Sequence, residues 1–237
     1  MPFVIGIGIL FAALGAVAER VASVWPADEP SRRRPGPRTL LLALISGLAA
    51  GALVWRSALP AWATAAYLGF LALLVFLAAT DLEQRRLPHL VLDPLIVAAI
   101  LFVPFNPSVS IVDAVLGGVA AVGFLGLLGL LVRDGVALGD LYLIAPLGLL
   151  LGWPSIFVAI FVAGLLAAGA SLALIVSRRA GMKSYIPFGP FLVAGAVVTL
   201  LREPQLLGSA VAQLGQAGAL AADASHLVVA LLGGQPR

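Results

Sequence analysis

The chain has 237 residues, of which 62% are hydrophobic and 11% charged, with a formal net charge of +3 and no cysteine. The missing thiols exclude disulfides, thiolate catalysis, iron–sulfur centres and cysteine-based zinc sites, and two histidines (His89 and His226) are too few for a histidine-rich centre, so neither a metal nor a cofactor is expected. The basic residues are spaced between hydrophobic runs instead of forming a continuous surface, which argues against a nucleic-acid partner.

Apolar stretches close to the roughly 20 residues that span about 30 Å of hydrocarbon recur along the whole chain. In order they are Phe3 to Ser23, Leu40 to Trp55, Ala61 to Ala79, Leu90 to Phe105, Ile111 to Val132, Leu141 to Trp153, Ser155 to Val176 and Ile186 to Leu201. The sequence therefore reads as an all-α, polytopic membrane protein with about eight transmembrane helices. The shortest members, such as Leu141 to Trp153, are expected to begin earlier or to lie partly in the interface. The longest polar break, Pro26 to Arg38, leaves no room for a sizeable soluble domain, so residues 1–203 read as one membrane domain. Met1 to Ala18 carries no positive charge and Arg20 follows it, the opposite of a cleavable secretory signal, so the first span reads as a retained signal-anchor. Residues 204–237 are apolar but interrupted by Gln213, Gln216, Asp223 and His226. They read as an interfacial amphipathic helix, with a ninth span as the alternative.

Charge fixes the expected orientation. With the N-terminus outside, the loops after spans one, three, five and seven are cytoplasmic. Of the 14 basic residues, only Arg56, Arg202 and Arg237 lie away from those loops and their flanks. That is a strong positive-inside bias for a multi-pass protein of the cell (inner or plasma) membrane.

Two carboxylates stand out on this map, because a charge at the edge of an apolar span is costly and is retained for a reason. Asp81 ends the third span and Asp140 opens the sixth, so two complete crossings return both to the cytoplasmic face. Pro88 stops the chain from continuing smoothly as helix and starts the next span. Gly139, just before Asp140, frees the backbone to turn and admits close approach of another segment. The two carboxylates are thus expected to converge on one water.

The segments around them resemble the prepilin peptidases (type IV leader peptidases), membrane aspartic proteases with a GxGD signature. Asp81 to Pro88, followed by Leu92-Asp93-Pro94, is similar to the family's D-x5-[I/L]-P segment. Ala137-Leu138-Gly139-Asp140-Leu141-Tyr142, continued by Ala145-Pro146-Leu147-Gly148 and Gly152-Trp153, is similar to its GxGDxKLxAxLGxxxGW stretch. Ile186-Pro187-Phe188-Gly189-Pro190-Phe191 is similar to its PFGP segment. Together these cover about residues 61–201, the motif-bearing core of the membrane domain. The resemblance implies Asp81 and Asp140 as the catalytic pair, with Pro88, Gly139, Pro187, Gly189 and Pro190 as motif support and no metal. It implies pilin-like precursors as partners, each with a short basic leader in the cytoplasm and an apolar helix in the bilayer, cut just after a glycine. The chemistry has a physical basis: like charges held close cannot both ionise cheaply, so one carboxyl keeps a proton while the other acts as base on a shared water.

The sequence also departs from the family. Ala137 stands where the first glycine of GxGD is usual, and Tyr142 where a lysine is common. Gly15 to Pro26 is only faintly similar to the family's N-terminal GSFLNVxxxRxP segment, with Glu19 and Val24 in place of the usual Asn and Arg. The large first cytoplasmic loop with two CxxC pairs, found in many bacterial members and associated with N-methylation, has no counterpart. The implied enzyme is a peptidase without the methyltransferase activity.

Elsewhere the residues read structurally. Glu83, Arg85 and Arg86 read as a solvated topogenic loop, Asp93 and Asp113 as capping or packing groups, and His89 as a packing or capping residue. Arg133 and Asp134 mark the interface, and Arg32, Arg33 and Arg34 orient the first loop beside membrane lipid. Gly47 with Gly51, and Gly148 with Gly152, have the spacing that lets helices approach, within the chain first and in a homodimer second. Two other readings of the carboxylates stand beside the peptidase: a small proton- or cation-coupled transporter, and an assembly subunit that keeps the fold without activity.

Overall fold

In a computed structural model of the chain, residues 1–26, 34–57, 59–131, 137–178 and 187–202 are described. They form helices α1 (Pro2–Ala22), α2 (Pro37–Arg56), α3 (Ala61–Gln84), α4 (His89–Phe102), α5 (Ile111–Leu131), α6 (Leu138–Leu151), α7 (Ser155–Val176) and α8 (Gly189–Leu201). One 3-10 turn, Val103–Phe105, follows α4, and no strand occurs among the described residues. α1, α2, α3, α5 and α7 are long and apolar enough to cross a membrane, while α4, α6 and α8 are shorter. The protein is an all-α, polytopic membrane protein. The expected C-terminal interfacial helix lies outside the described residues, as do Arg32, Arg33, Arg133 and Asp134.

Of the boundaries that differ from the expected spans, three involve a motif. α3 continues past Ala79 to Gln84, so Asp81 sits in its last turns; Arg85, in the left-handed region at φ 55, ends the helix. α6 begins at Leu138, which places Asp140 inside its first turn instead of ahead of it. α8 begins at Gly189, with a proline in its first turn, where a missing N–H leaves no helix bond unmade.

Packing rests on close helix pairs built from small residues. A Cβ on Gly47 would lie 2.7 Å from the Gly8 carbonyl oxygen, so α1 and α2 meet backbone to backbone there, and Ser46 Oγ donates to the Phe11 carbonyl at 2.9 Å. Between α5 and α6, a Cβ on Gly148 would lie 2.7 Å from both Gly117 O and Gly118 Cα. Gly47 and Gly148 thus serve contacts within the chain. Gly152 additionally turns the chain after α6 with φ 69, which a side chain would strain.

The core gathers on α3, α4 and α6, where Leu74, Leu77, Leu92, Leu95, Leu143, Ile144 and Leu147 are buried. At one end of the bundle, Trp55, Trp62 and Trp153 are exposed, as in an interfacial aromatic belt. The C-terminal end of α3 and the N-terminal ends of α4 and α6 lie opposite, and this is where the candidate site forms.

Candidate active site

The last turns of α3 and the first turn of α6 each bring one carboxylate inward. Asp81 is 6% exposed and Asp140 is 3% exposed. Asp140 follows Ala137, the N-cap of α6, and lies among the unpaired N–H groups of a helix start, which attract carboxylates. The two side chains are close enough to interact electrostatically.

The first residue of α8 completes the arrangement. A Cβ on Gly189 would lie 2.5 Å from Asp81 Oδ2 and 3.5 Å from Asp140 Oδ1, so the space left by the missing side chain is bounded by both carboxyl groups. Oδ2 of Asp81 is buried and has no hydrogen-bond partner among the described residues. A buried acceptor without a donor costs about 1–3 kcal/mol, so its retention calls for an explanation beyond packing.

The connection after α3 holds the two motifs together. A Cβ on Gly139 would lie 3.0 Å from Leu87 Cδ1, so Gly139 serves as a seat for the residue that precedes Pro88. It needs no positive φ, and its role is close approach. Pro88 is buried as the N-cap of α4, and Pro190 sits in the first turn of α8 beside Gly189. Pro187 is the first described residue of the segment that leads into α8.

The departures from the family pattern take ordinary places. Ala137 has φ −75 and ψ 146, an extended conformation that any residue adopts, so the missing glycine strains nothing. Tyr142 is half-exposed and meets the ring of His89 edge to face at 5.3 Å. His89 Nδ1 lies 3.1 Å from Asp93 Oδ1, and Asp113 is capped by Ser110, whose Oγ donates to Oδ2 at 2.7 Å. Arg85 and Arg86 are exposed as expected. Glu83 is not: its side chain is 8% exposed and lies 3.9 Å from Arg38 Nη1, because α3 continues beneath it and packs it toward α2.

Three polar residues escaped the sequence reading. Glu19, noted only as a mismatch, is buried at the end of α1 and accepts a hydrogen bond from Thr39 Oγ1 at 2.8 Å. A lone acid inside an apolar helix was the available signal. Gln84 donates its side-chain amide to the Ala22 carbonyl. Asn106 accepts from the Tyr67 hydroxyl at 2.9 Å and donates to the Leu150 carbonyl at 3.3 Å. Among the described residues no group of three or more His, Cys, Asp or Glu side chains is arranged to hold a metal.

Residues 68–172 match the type IV leader peptidase family, a stretch that contains Asp81, Pro88, Gly139 and Asp140 and ends before Gly189. The chain is 35% identical over 173 residues to the prepilin leader peptidase/N-methyltransferase of Burkholderia pseudomallei (strain K96243), covering 70% of this chain and 55% of that protein. It is 34% identical over 169 residues to the protein of the same name from Aeromonas hydrophila, with 68% and 56% covered. The Bacillus subtilis (strain 168) protein of that name is 30% identical over 139 residues, with 56% and 53% covered. The chain thus spans a little over half the length of these curated relatives. No solved structure matches. Through residues 68–172, the membrane core that carries both carboxylates, this chain matches the type IV leader peptidase family.

Proposed function

We propose that this chain is a membrane-embedded aspartic endopeptidase that removes the leader from type IV pilin-like precursors at the cytoplasmic face, with Asp81 and Asp140 as its catalytic pair. The observation that carries the reading is that two buried carboxyl groups, from helices far apart in sequence, both border the space left by the missing side chain of Gly189. The positive-inside pattern supports a cytoplasmic site, because the basic loops share an end with the carboxylates.

Two carboxyl groups in one small space share a proton, and they titrate as a unit. The ionised member takes a proton from water, and the resulting hydroxide attacks the carbonyl carbon of the scissile peptide. The protonated member hydrogen-bonds the developing oxyanion, and a proton passes to the departing amine as the C–N bond breaks. α8 closes the space from one side and limits access of bulk water, which strengthens each of these interactions. A bond cut at this level leaves the leader in the cytoplasm and the following apolar helix in the bilayer.

The proposed activity is that of the peptidase alone. The relatives' names include N-methyltransferase, but the segment between α1 and α2 is short and the chain has no cysteine with which to build a CxxC loop. The ordinary backbone at Ala137 favours the active enzyme over the silent subunit. Incubation of the detergent-purified protein with a type IV prepilin should release the leader, with the cut mapped by mass spectrometry to the bond after the glycine that precedes the apolar helix. An intact precursor would refute the activity, and a cut elsewhere would refute the proposed specificity.

A further inference from the structure

We infer that Gln84 is a positioning residue for Asp81 and that, through it, the α1–α2 hairpin forms part of the frame of the active site although it lies outside the matched family core. The inference rests on the reading of Asp81 as catalytic.

Asp81 is carried near the end of α3, four residues before the left-handed Arg85 whose N–H closes the last bond to the Asp81 carbonyl at 2.9 Å. Such ends fray unless something outside the helix holds them. Two side chains leave this turn sideways. The Gln84 amide donates to the carbonyl of Ala22, the last residue of α1 and one of the helix-end carbonyls with no partner in its own ladder. Glu83 reaches Arg38 in the first turn of α2 at 3.9 Å. The hairpin itself is locked at this level, because Thr39 Oγ1 of α2 donates to Glu19 of α1 at 2.8 Å. Ala22, Glu19 and Thr39 are all buried.

The orientation of Gln84 is dictated by its acceptor, since a carbonyl can take only the N–H side of the amide. Its Oε1 is left buried without a hydrogen-bond partner among the described residues. An amide that leaves one end unpaired to keep the other on Ala22 marks a contact whose value lies in placement. Gln84 stands three positions after Asp81, on the neighbouring face of the same turn, so the anchor acts directly on the backbone that aims the carboxylate.

The test uses Gln84→Met, which keeps length and volume and removes the donor, with Gln84→Ala as a second variant and Asp81→Asn as a control. Cleavage of a synthetic type IV prepilin containing leader and apolar helix is followed for kcat, KM and the pH dependence of kcat in detergent. Both Gln84 variants should lower kcat about 10-fold or more, since misplacement of a reacting group by 1 Å can cost about 100-fold. KM should stay within about twofold, because the amide touches no substrate, and at least one limb of the pH profile should move as Asp81 shifts against Asp140, Arg85 and Glu83. A smaller active fraction scales the profile without displacing it, so an unmoved profile, or wild-type kcat, overturns the inference. Should Asp81→Asn itself cleave normally, the catalytic reading fails instead, whatever Gln84 does.

Discussion

Gly189 provides a perturbation that separates the site from the fold. A Cβ at this position would stand 2.5 Å from Asp81 Oδ2, 3.3 Å from its Cγ and 3.5 Å from Asp140 Oδ1. Restoring an ordinary contact requires the Asp81 carboxylate to move by roughly 1 Å. The obstructing atom is the end of a side chain, which yields by rotation, so the bundle need not give way. Alanine is also the better helix former by about 1 kcal/mol, and Gly189 opens α8 without a positive φ. Gly189→Ala should therefore leave the yield and thermal midpoint in detergent unchanged or slightly raised, while kcat for prepilin cleavage falls about 100-fold. Gly69→Ala, on α3 with nothing within 4 Å of the added carbon, is the matched control and should cleave as wild type. Undiminished cleavage by Gly189→Ala would refute the claim that this Cα sets the spacing of the carboxylates. Loss of folded protein would refute the separation of site from fold.

Three further outcomes follow from the packing and the residue inventory. Gly148→Val places side-chain atoms against Gly117 O and Gly118 Cα, which are backbone and cannot rotate away; it should cost at least about 1–3 kcal/mol and sharply reduce folded yield, whereas Gly123→Ala, in open space, should not. Asn106→Leu removes the acceptor of the Tyr67 hydroxyl and the donor to the Leu150 carbonyl and should lower the thermal midpoint by an amount equivalent to about 1–3 kcal/mol, with kcat of the folded fraction unchanged. EDTA should leave cleavage intact, because the described residues offer no cluster of metal ligands; strong inhibition would indicate a metal in the reaction.

Much of the architecture was legible in the sequence because a bilayer leaves few ways to satisfy a backbone, so apolar runs of the right length become helices. Both carboxylates were legible for a related reason, as charges at the edges of such runs beside proline and glycine. What was not legible is what lies between elements. No sequence rule pairs Gly189 with Asp81, since the contact depends on the missing Cβ of one helix facing the side chain of another. Glu83 read as a loop residue because its neighbours Arg85 and Arg86 are charged, yet the helix persists through Gln84 and turns it toward Arg38. Glu19 and Gln84 were passed over because their partners, Thr39 and the Ala22 carbonyl, lie on other helices. Nor was the backbone at 137 legible, where alanine replaces the usual glycine: it is extended, a conformation open to alanine.

The most direct test of the central claim is cleavage of a type IV prepilin by Asp81→Asn and Asp140→Asn, each purified from membranes in the same detergent as wild type. Asparagine keeps the shape and hydrogen-bonding reach of each side chain but removes its charge and titratable proton. Both variants should insert and fold, and both should leave the precursor uncut. Normal leader removal by either folded variant would contradict the account.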